Sequence, residues 1–583
     1  MRDWLWIQQV ACLNVYTKQF QIRDVGIVGD RIAAVEKPHM IRKGTCIDGK
    51  GMYLVPGLID SHMHIESTMA APGPFAQALL PCGVTTIVAE PHEIANVFGV
   101  EGILAMIENG RQTSIDIFLG IPSSVPSTQD KFETVGAEIG VDEVKQLLTV
   151  PEVVCLGEVM NYYDVIHVPD AKIHDLLAVF KVQAPHLPIE GHCPKLMGDE
   201  LSRFIAAGID SDHTLQTVEG MRERVEKGVM VQVQEKSIHP ELMEAIVSEG
   251  LDSRISLVTD DVMPDHLVEN GHLDHVVRMA IEAGLPPEMA IVCATHIPAV
   301  RMKMDDRGAI APGKLADFLL LSDLEHFSVQ ATYKNGKCVY QMGEEMSLNK
   351  ADKSFPVHFY QSVKLDPFEE KQFEISLDEA FVHGEQQDQA TLVKGTLACR
   401  QMMVQSDSNY TEEELLHVPV SDGRLEWEDT SAAMIAVVER HGKHGQMGKG
   451  LIGGATIKRG AVASTYAHDH HNLLVVGHSK AEMTLAANRV IELQGGIVVV
   501  ENGKIIAEMP LPIAGILSEE PVSVLGSQMR KVRKALNGLG YEHEDSIMSL
   551  CTNGLPVSPL LKITDRGLMK LSENRLVSLA WEI

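Results

Sequence analysis

The sequence predicts an α/β chain: a (β/α)8 barrel, a small β-sandwich-like domain drawn from both of its flanks, and an α+β carboxy-terminal domain. Three observations carry this reading. Eight short apolar runs follow one another between Val55 and Asp261, nearly every run ends in a His, Asp or Glu, and helical stretches lie between them. In a parallel barrel all strand ends open on one face, so residues distant in the chain converge on one pocket. An open doubly wound sheet would gather its functional groups at a single switch point instead.

Residues 1–55 and 305–345 read as one composite β-domain. Phe20 to Val28 and Arg31 to Val35 alternate with a two-residue rhythm about Gly29-Asp30, a hairpin turn signal, and the same texture returns around Asn335-Gly336. Residues 56–304 form the barrel, with strands ending near His64, Glu90, Pro122, Glu158, His192, His213, Gln234 and Asp260 and helices over 72–80, 141–148 and 198–207. Eight such units in about 250 residues match the closed fold. Residues 346–583 form the third region. There Ser479 and Glu482 predict a capping box, Gly495-Gly496 a helix end, and Asn502-Gly503 a hairpin.

Composition excludes several function classes. The 80 acidic against 50 basic residues give a net charge of −30, which argues against nucleic acid as a partner, because phosphate contacts need clustered Lys and Arg. The nine cysteines form no CxxC pair, and an odd number does not suit a disulfide framework, so a reduced, cytoplasmic protein is expected. Trp4-Leu5-Trp6-Ile7 is apolar but lacks the flanks of a leader and reads as a first strand; no apolar stretch is long enough to span a bilayer, so no membrane is expected as a partner.

The chemistry concentrates at the strand ends. In an extended strand, side chains at i and i+2 share a face, so His62 and His64 both aim into the barrel mouth. With Glu158, His192, His213 and Asp260 at other strand ends they suit a divalent ion of the zinc, iron or manganese kind, and the lack of Cys ligands argues against a structural zinc site. Glu158 closes an apolar run, where an ordinary exposed Glu seldom sits. Asp260 can both bind metal and take a proton from activated water. His92 and Glu93 are candidates for substrate contact or proton shuttling, with helix capping as the alternative, and Asp261 either contacts substrate or caps a helix. His167, His186, His239 and His266 read as surface residues, and Cys193 as pocket lining.

Two other motifs fail. His64-Ile65-Glu66 followed by Pro81-Cys82 resembles the zinc site of cytidine-type nucleobase deaminases, but the second Cys of that site is Thr85 here. Gly448-Lys449-Gly450 lacks the spacing of a phosphate loop.

The residues from Val55 to Ser67, Pro91 to Val97, Gly157 to Tyr162 and Gly191 to Pro194 resemble the amidohydrolase superfamily, and within it the bacterial adenine deaminases. Ala467-His468-Asp469-His470-His471-Asn472 and the stretch from Leu511 to Ser518 are similar to the carboxy-terminal domain of the latter, so the resemblance spans almost the whole chain. It implies two divalent metals, manganese first with iron or zinc as alternatives, and a bridging Glu158 where many relatives use a modified lysine. It also implies a small-molecule purine substrate, adenine hydrolysed to hypoxanthine and ammonia. Asp260 would carry the proton to the leaving amine, and Glu93 would act as the acid near N1. A homodimer is left open. Three positions depart from the family pattern and are expected at the pocket rim: Thr214 in place of Glu, Gln234-Glu235-Lys236 in place of Arg-Glu-Gly, and Val262 in place of Arg. They motivate two alternatives, an amidohydrolase for another amino-heterocycle or cyclic amide, and a degenerate purine-binding paralogue.

Overall fold

The computed structural model describes residues 4–39, 42–129, 131–344, 355–382 and 395–581. The domain boundary expected at 345–346 lies outside these residues. The chain divides into two compact units: Met1–Pro91, Leu104–Ser123 and Gly140–Ser354 make the first, and His92–Ile103, Ser124–Ile139 and Phe355–Ile583 the second.

The first unit contains eight parallel strands: β1 (Leu58–Met63), β2 (Val84–Ala89), β3 (Asp116–Ile121), β4 (Val153–Val159), β5 (Ile189–Gly191), β6 (Ser211–Asp212), β7 (Met230–Val233) and β8 (Ile255–Leu257). β1 to β5 pair in sequence order, and so do β6 to β8. Backbone hydrogen bonds cross both seams, Asp210 N–H to Ile189 O at 3.2 Å and Asp260 N–H to His62 O at 3.1 Å. β1, β2 and β4 are buried along their whole length, so they show none of the polar/apolar alternation of a half-exposed strand. Helices Pro72–Leu79, Val141–Leu147 and Gly198–Ala206 lie where the periodicity predicts them.

The flanking strands of this unit form one eight-stranded sheet. Trp4–Asn14, Gln19–Val28, Arg31–Glu36, Thr45–Asp48 and Tyr53–Pro56 join Phe318–Leu321, Val329–Lys334 and Lys337–Gln341. Asn335 and Gly336 both take positive φ, 51° and 75°, as a two-residue hairpin turn demands. Ile7, Val25, Leu54 and Phe318 centre the core of this sheet.

In the second unit a nine-stranded sheet is antiparallel except where Thr396–Val404 runs parallel to Met447–Gly454. Its central strands Ala433–Val438 and Leu473–Gly477 are fully buried. The helix Lys480–Leu493 starts at Ser479, whose side chain accepts the Glu482 N–H at 3.3 Å. The reciprocal half of the expected capping box is replaced, because a Glu482 carboxylate oxygen accepts the Gly503 N–H at 3.2 Å. Gln494, not the glycine pair, takes the left-handed C-cap at φ 59°. Gly495 is needed for a close approach instead: a Cβ there would lie 2.4 Å from the Gly515 Cα. Among the described residues no helix is long and apolar enough to cross a membrane.

Candidate active site

Six of the residues read as metal ligands come together at the carboxy-terminal ends of the barrel strands. His62 is the last residue but one of β1, and His64 follows the strand in extended conformation at φ −119° and ψ 111°. Alternation therefore carries both imidazoles to one side, with Nε2 of each 3.7 and 3.5 Å from Asp260 Oδ1. His64 Nε2 is 3.6 Å from Glu158 Oε1. The other Glu158 oxygen, Oε2, faces His192 Nδ1 at 2.8 Å and His213 Nε2 at 3.3 Å. Glu158 thus offers one oxygen to each of two donor groups.

The His192–Glu158 distance of 2.8 Å is that of a hydrogen bond, whereas the other four, 3.3 to 3.7 Å, suit shared metal binding better. Donors bound about 2.0–2.2 Å from one tetrahedral ion sit about 3.3–3.6 Å apart, whereas hydrogen bonds fall below about 3.2 Å. His62 Nε2 is buried and makes no hydrogen bond, an orphan that a cation would satisfy. His64 Nδ1 lies 3.1 Å from the Glu90 carbonyl, which can only accept, so Nδ1 carries the proton and Nε2 keeps its lone pair for the site.

The charge state agrees. Burial opposes ionisation of Glu158, yet His213 and His192 hold its carboxyl well below the ordinary range. Burial likewise opposes charge on Asp260, and His62, His64 and His213 overcome it. Burial lowers His213 while Glu158, Asp260 and Asp212 outweigh it and bring the imidazole up to about 9. A cation in their midst would take the place of that proton.

Several supports escape a sequence reading because no local signal marks them. The Glu158 N–H donates to Glu90 Oε2 at 2.6 Å, and the Ser123 hydroxyl donates to the Glu158 carbonyl at 2.6 Å. Gly157 makes room for this: a Cβ would fall 2.4 Å from the Glu90 carboxyl carbon. Asp212 takes hydrogen bonds from Cys193 N, Thr214, Gln216 and Arg224, the last at 2.6 Å, and so fixes the backbone that presents His213.

Two of the three departures from the family pattern are not rim decoration. Thr214 is buried with its hydroxyl on Asp212 at 3.0 Å, and Gln234 is buried with its amide on Asp260 Oδ2 at 3.0 Å. Thr214 thus holds the residue before His213, and Gln234 holds Asp260 itself. Val262 is half-buried. Asp261 accepts the Ser67 hydroxyl and caps no helix, since the next one, Pro264–Asn270, begins after Met263.

His92 and Glu93 belong to the second unit and open the helix His92–Gly110, where neither acts as a cap. They cluster with residues His468 to His471. His92 Nε2 is 3.5 Å from Glu93 Oε1 and 3.7 Å from Asp469 Oδ1, while His468 and His471 each contact one Glu93 oxygen. His471 Nδ1 accepts the Ala467 N–H at 3.2 Å, so Nε2 carries the proton and donates it to Glu93. Burial opposes charge on Glu93, but His468, His471 and His92 hold it well below the usual range. Burial also opposes charge on His92, which Glu93 and Asp469 nevertheless raise well above its ordinary value. His92, Glu93, His468 and Asp469 have donors close enough to hold a cation, but both Glu93 oxygens already face imidazoles.

Residues 53–339 match the amidohydrolase family, and residues 408–575 match the adenine deaminase C-terminal domain. A protein named adenine deaminase 2 from Shouchella clausii is 46% identical over 576 residues, 98% of each chain. An adenine deaminase from Clostridium perfringens is 42% identical over 581 residues, 99% of each chain. Among solved structures, a β-aspartyl dipeptidase from Fervidobacterium islandicum aligns at 17% identity and a TM-score of 0.45, over 60% of this chain and 99% of its own. The ligand pattern at the strand ends and these full-length matches agree, and the chain belongs to the adenine deaminase family of amidohydrolases.

Proposed function

We propose that this chain hydrolyses adenine to hypoxanthine and ammonia on a pair of divalent metal ions, manganese first, held by His62, His64, Glu158, His192, His213 and Asp260. The observation that carries the proposal is the two-sided Glu158, with Oε1 toward His64 and Oε2 toward His192 and His213. The substrate follows from the names of the full-length relatives.

The metal pair, when bound, supplies a water activated near neutral pH and positive charge close to the reacting centre. Asp260 takes a proton from the attacking water as its oxygen bonds to purine C6. It then passes that proton to the exocyclic nitrogen, so the C–N bond breaks and ammonia leaves. Water and adenine enter; hypoxanthine and ammonia depart. Glu93 is proposed for the ring nitrogens on the strength of its place in the chain, four residues past the end of β2. Because its neighbours keep it ionised, Glu93 would accept a ring N–H as a carboxylate rather than act as an acid, and N1 would take the remaining proton of the added water as the C6 carbonyl forms. His92 and Asp261 are proposed as substrate contacts. The cytoplasm is the proposed location, because all nine cysteines are free.

The test is to strip the protein with a chelator, restore manganese, iron or zinc, and follow ammonia and hypoxanthine. Turnover appearing as two equivalents of manganese are added is the expected result. No turnover with any of the three metals sinks the adenine reading.

A further inference from the structure

Gln234 ties together two ligands from different strands. Its side-chain Nε2 donates to the His213 carbonyl at 2.9 Å and to Asp260 Oδ2 at 3.0 Å. A carbonyl and a carboxylate can only accept, so the amide orientation is fixed, with both N–H bonds used and the amide oxygen turned away. The backbone of Asp260 is pinned as well. Its N–H is held by the His62 carbonyl, and its φ of 62° lies in the left-handed region that costs a non-glycine residue energy unless its surroundings enforce it. What remains free is rotation of the carboxylate. Oδ1 faces His62 and His64, and among the described residues Gln234 makes the hydrogen bond to Oδ2.

We propose that Gln234 is a positioning residue that divides the labour of the Asp260 carboxylate, keeping Oδ1 for the metal and Oδ2 for the proton of the attacking water. Without that anchor the two oxygens are equivalent. Both can then turn to the cation, leaving neither to accept the proton. The inference rests on the reading of Asp260 as proton carrier given above.

Gln234→Glu keeps the shape, removes the two amide donors and adds a carboxyl beside Asp260, so Gln234→Leu, which removes the polar group without adding charge, is measured alongside in every readout. Losing a hydrogen bond to a charged group predicts a fall in kcat of about 10- to 100-fold, with KM within threefold of wild type and two metal equivalents retained. Crystal structures of the manganese-loaded wild type and Gln234→Glu chains supply a readout that needs no turnover. In the variant Oδ2 is expected to swing toward the metal. Wild-type kcat in a folded, fully loaded Gln234→Glu chain overturns the proposal, as does an unmoved Asp260 carboxylate. Loss of one metal equivalent overturns it too, by making Gln234 a support of the metal site alone. Should the loaded wild type leave adenine untouched, it is the adenine reading that fails, and the carboxylate position alone decides the role of Gln234.

Discussion

The Asp260 N–H donates to the His62 carbonyl at 3.1 Å, and Asp260 Oδ1 lies 3.7 Å from Nε2 of the same histidine. One pair of residues thus joins the end of β8 to β1 and brings two ligands together. On the proposed mechanism Asp260 would then serve fold, metal and proton transfer at once. Asp260→Asn keeps the size and the backbone link but cannot take a proton at neutral pH. A positioned general base is worth about 10²- to 10⁴-fold in rate, so kcat for adenine, compared at equal metal loading, is expected to drop by that order, and the melting temperature to fall with the lost ligand charge and the lost acceptor for Gln234. Stopped assays of ammonia release and a thermal melt check both halves.

Glu158→Gln removes one negative charge between two donor groups while leaving the carbonyl oxygen. A single neutral oxygen holds a divalent ion poorly, and the two ions of the proposed pair would no longer be screened from each other. The metal content, read by mass spectrometry after gel filtration, is expected to fall from two equivalents to one or fewer, with activity lost in proportion. Two tightly held equivalents in this variant would show that Glu158 does not bridge.

Much of the barrel was legible because its strands are buried on both faces, so β2 and β4 stand out as runs without exposed charge that meet Glu90 and Glu158 near their ends. The six residues proposed as ligands were singled out for the same reason, and the structure brings their side chains together. Their supports were not legible. Arg224 reaches Asp212 from within a helix, Val218–Glu226, where an arginine reads as a solvated surface residue. Gln234 and Thr214 read as rim positions because hydrogen-bond partners across strands leave no trace in local spacing. The Glu93 cluster likewise joins residues 375 positions or more apart, and neither end alone announces the other.

His471→Phe tests that cluster. Its Nε2–H donates to Glu93 Oε2, so the variant removes a hydrogen bond to a buried carboxylate without touching any of the six barrel ligands. The metal content is expected to stay at two equivalents per chain, while kcat for adenine falls by about 10-fold. A drop in metal content would instead assign a cation to His92, Glu93, His468 and Asp469.

Lys562 is expected to give the second unit a pH-dependent stability. Its ammonium is buried, donates to the Asn409 carbonyl at 2.8 Å, and is lowered by burial to about 7. Below pH 7 the lysine is protonated in both folded and unfolded chains, and the folded state bears the full cost of a buried charge. Between 7 and its ordinary value near 10.4 only the unfolded chain stays protonated, so stability from this group rises with pH. Lys562→Met removes the buried charge and sacrifices one hydrogen bond. The net gain at pH 6–7 is on the order of 1–3 kcal/mol, read as a higher melting temperature of the variant. That advantage is expected to shrink steadily toward pH 10; a gain that is constant across the range, or a loss at pH 6, would mean the lysine is not held near neutrality.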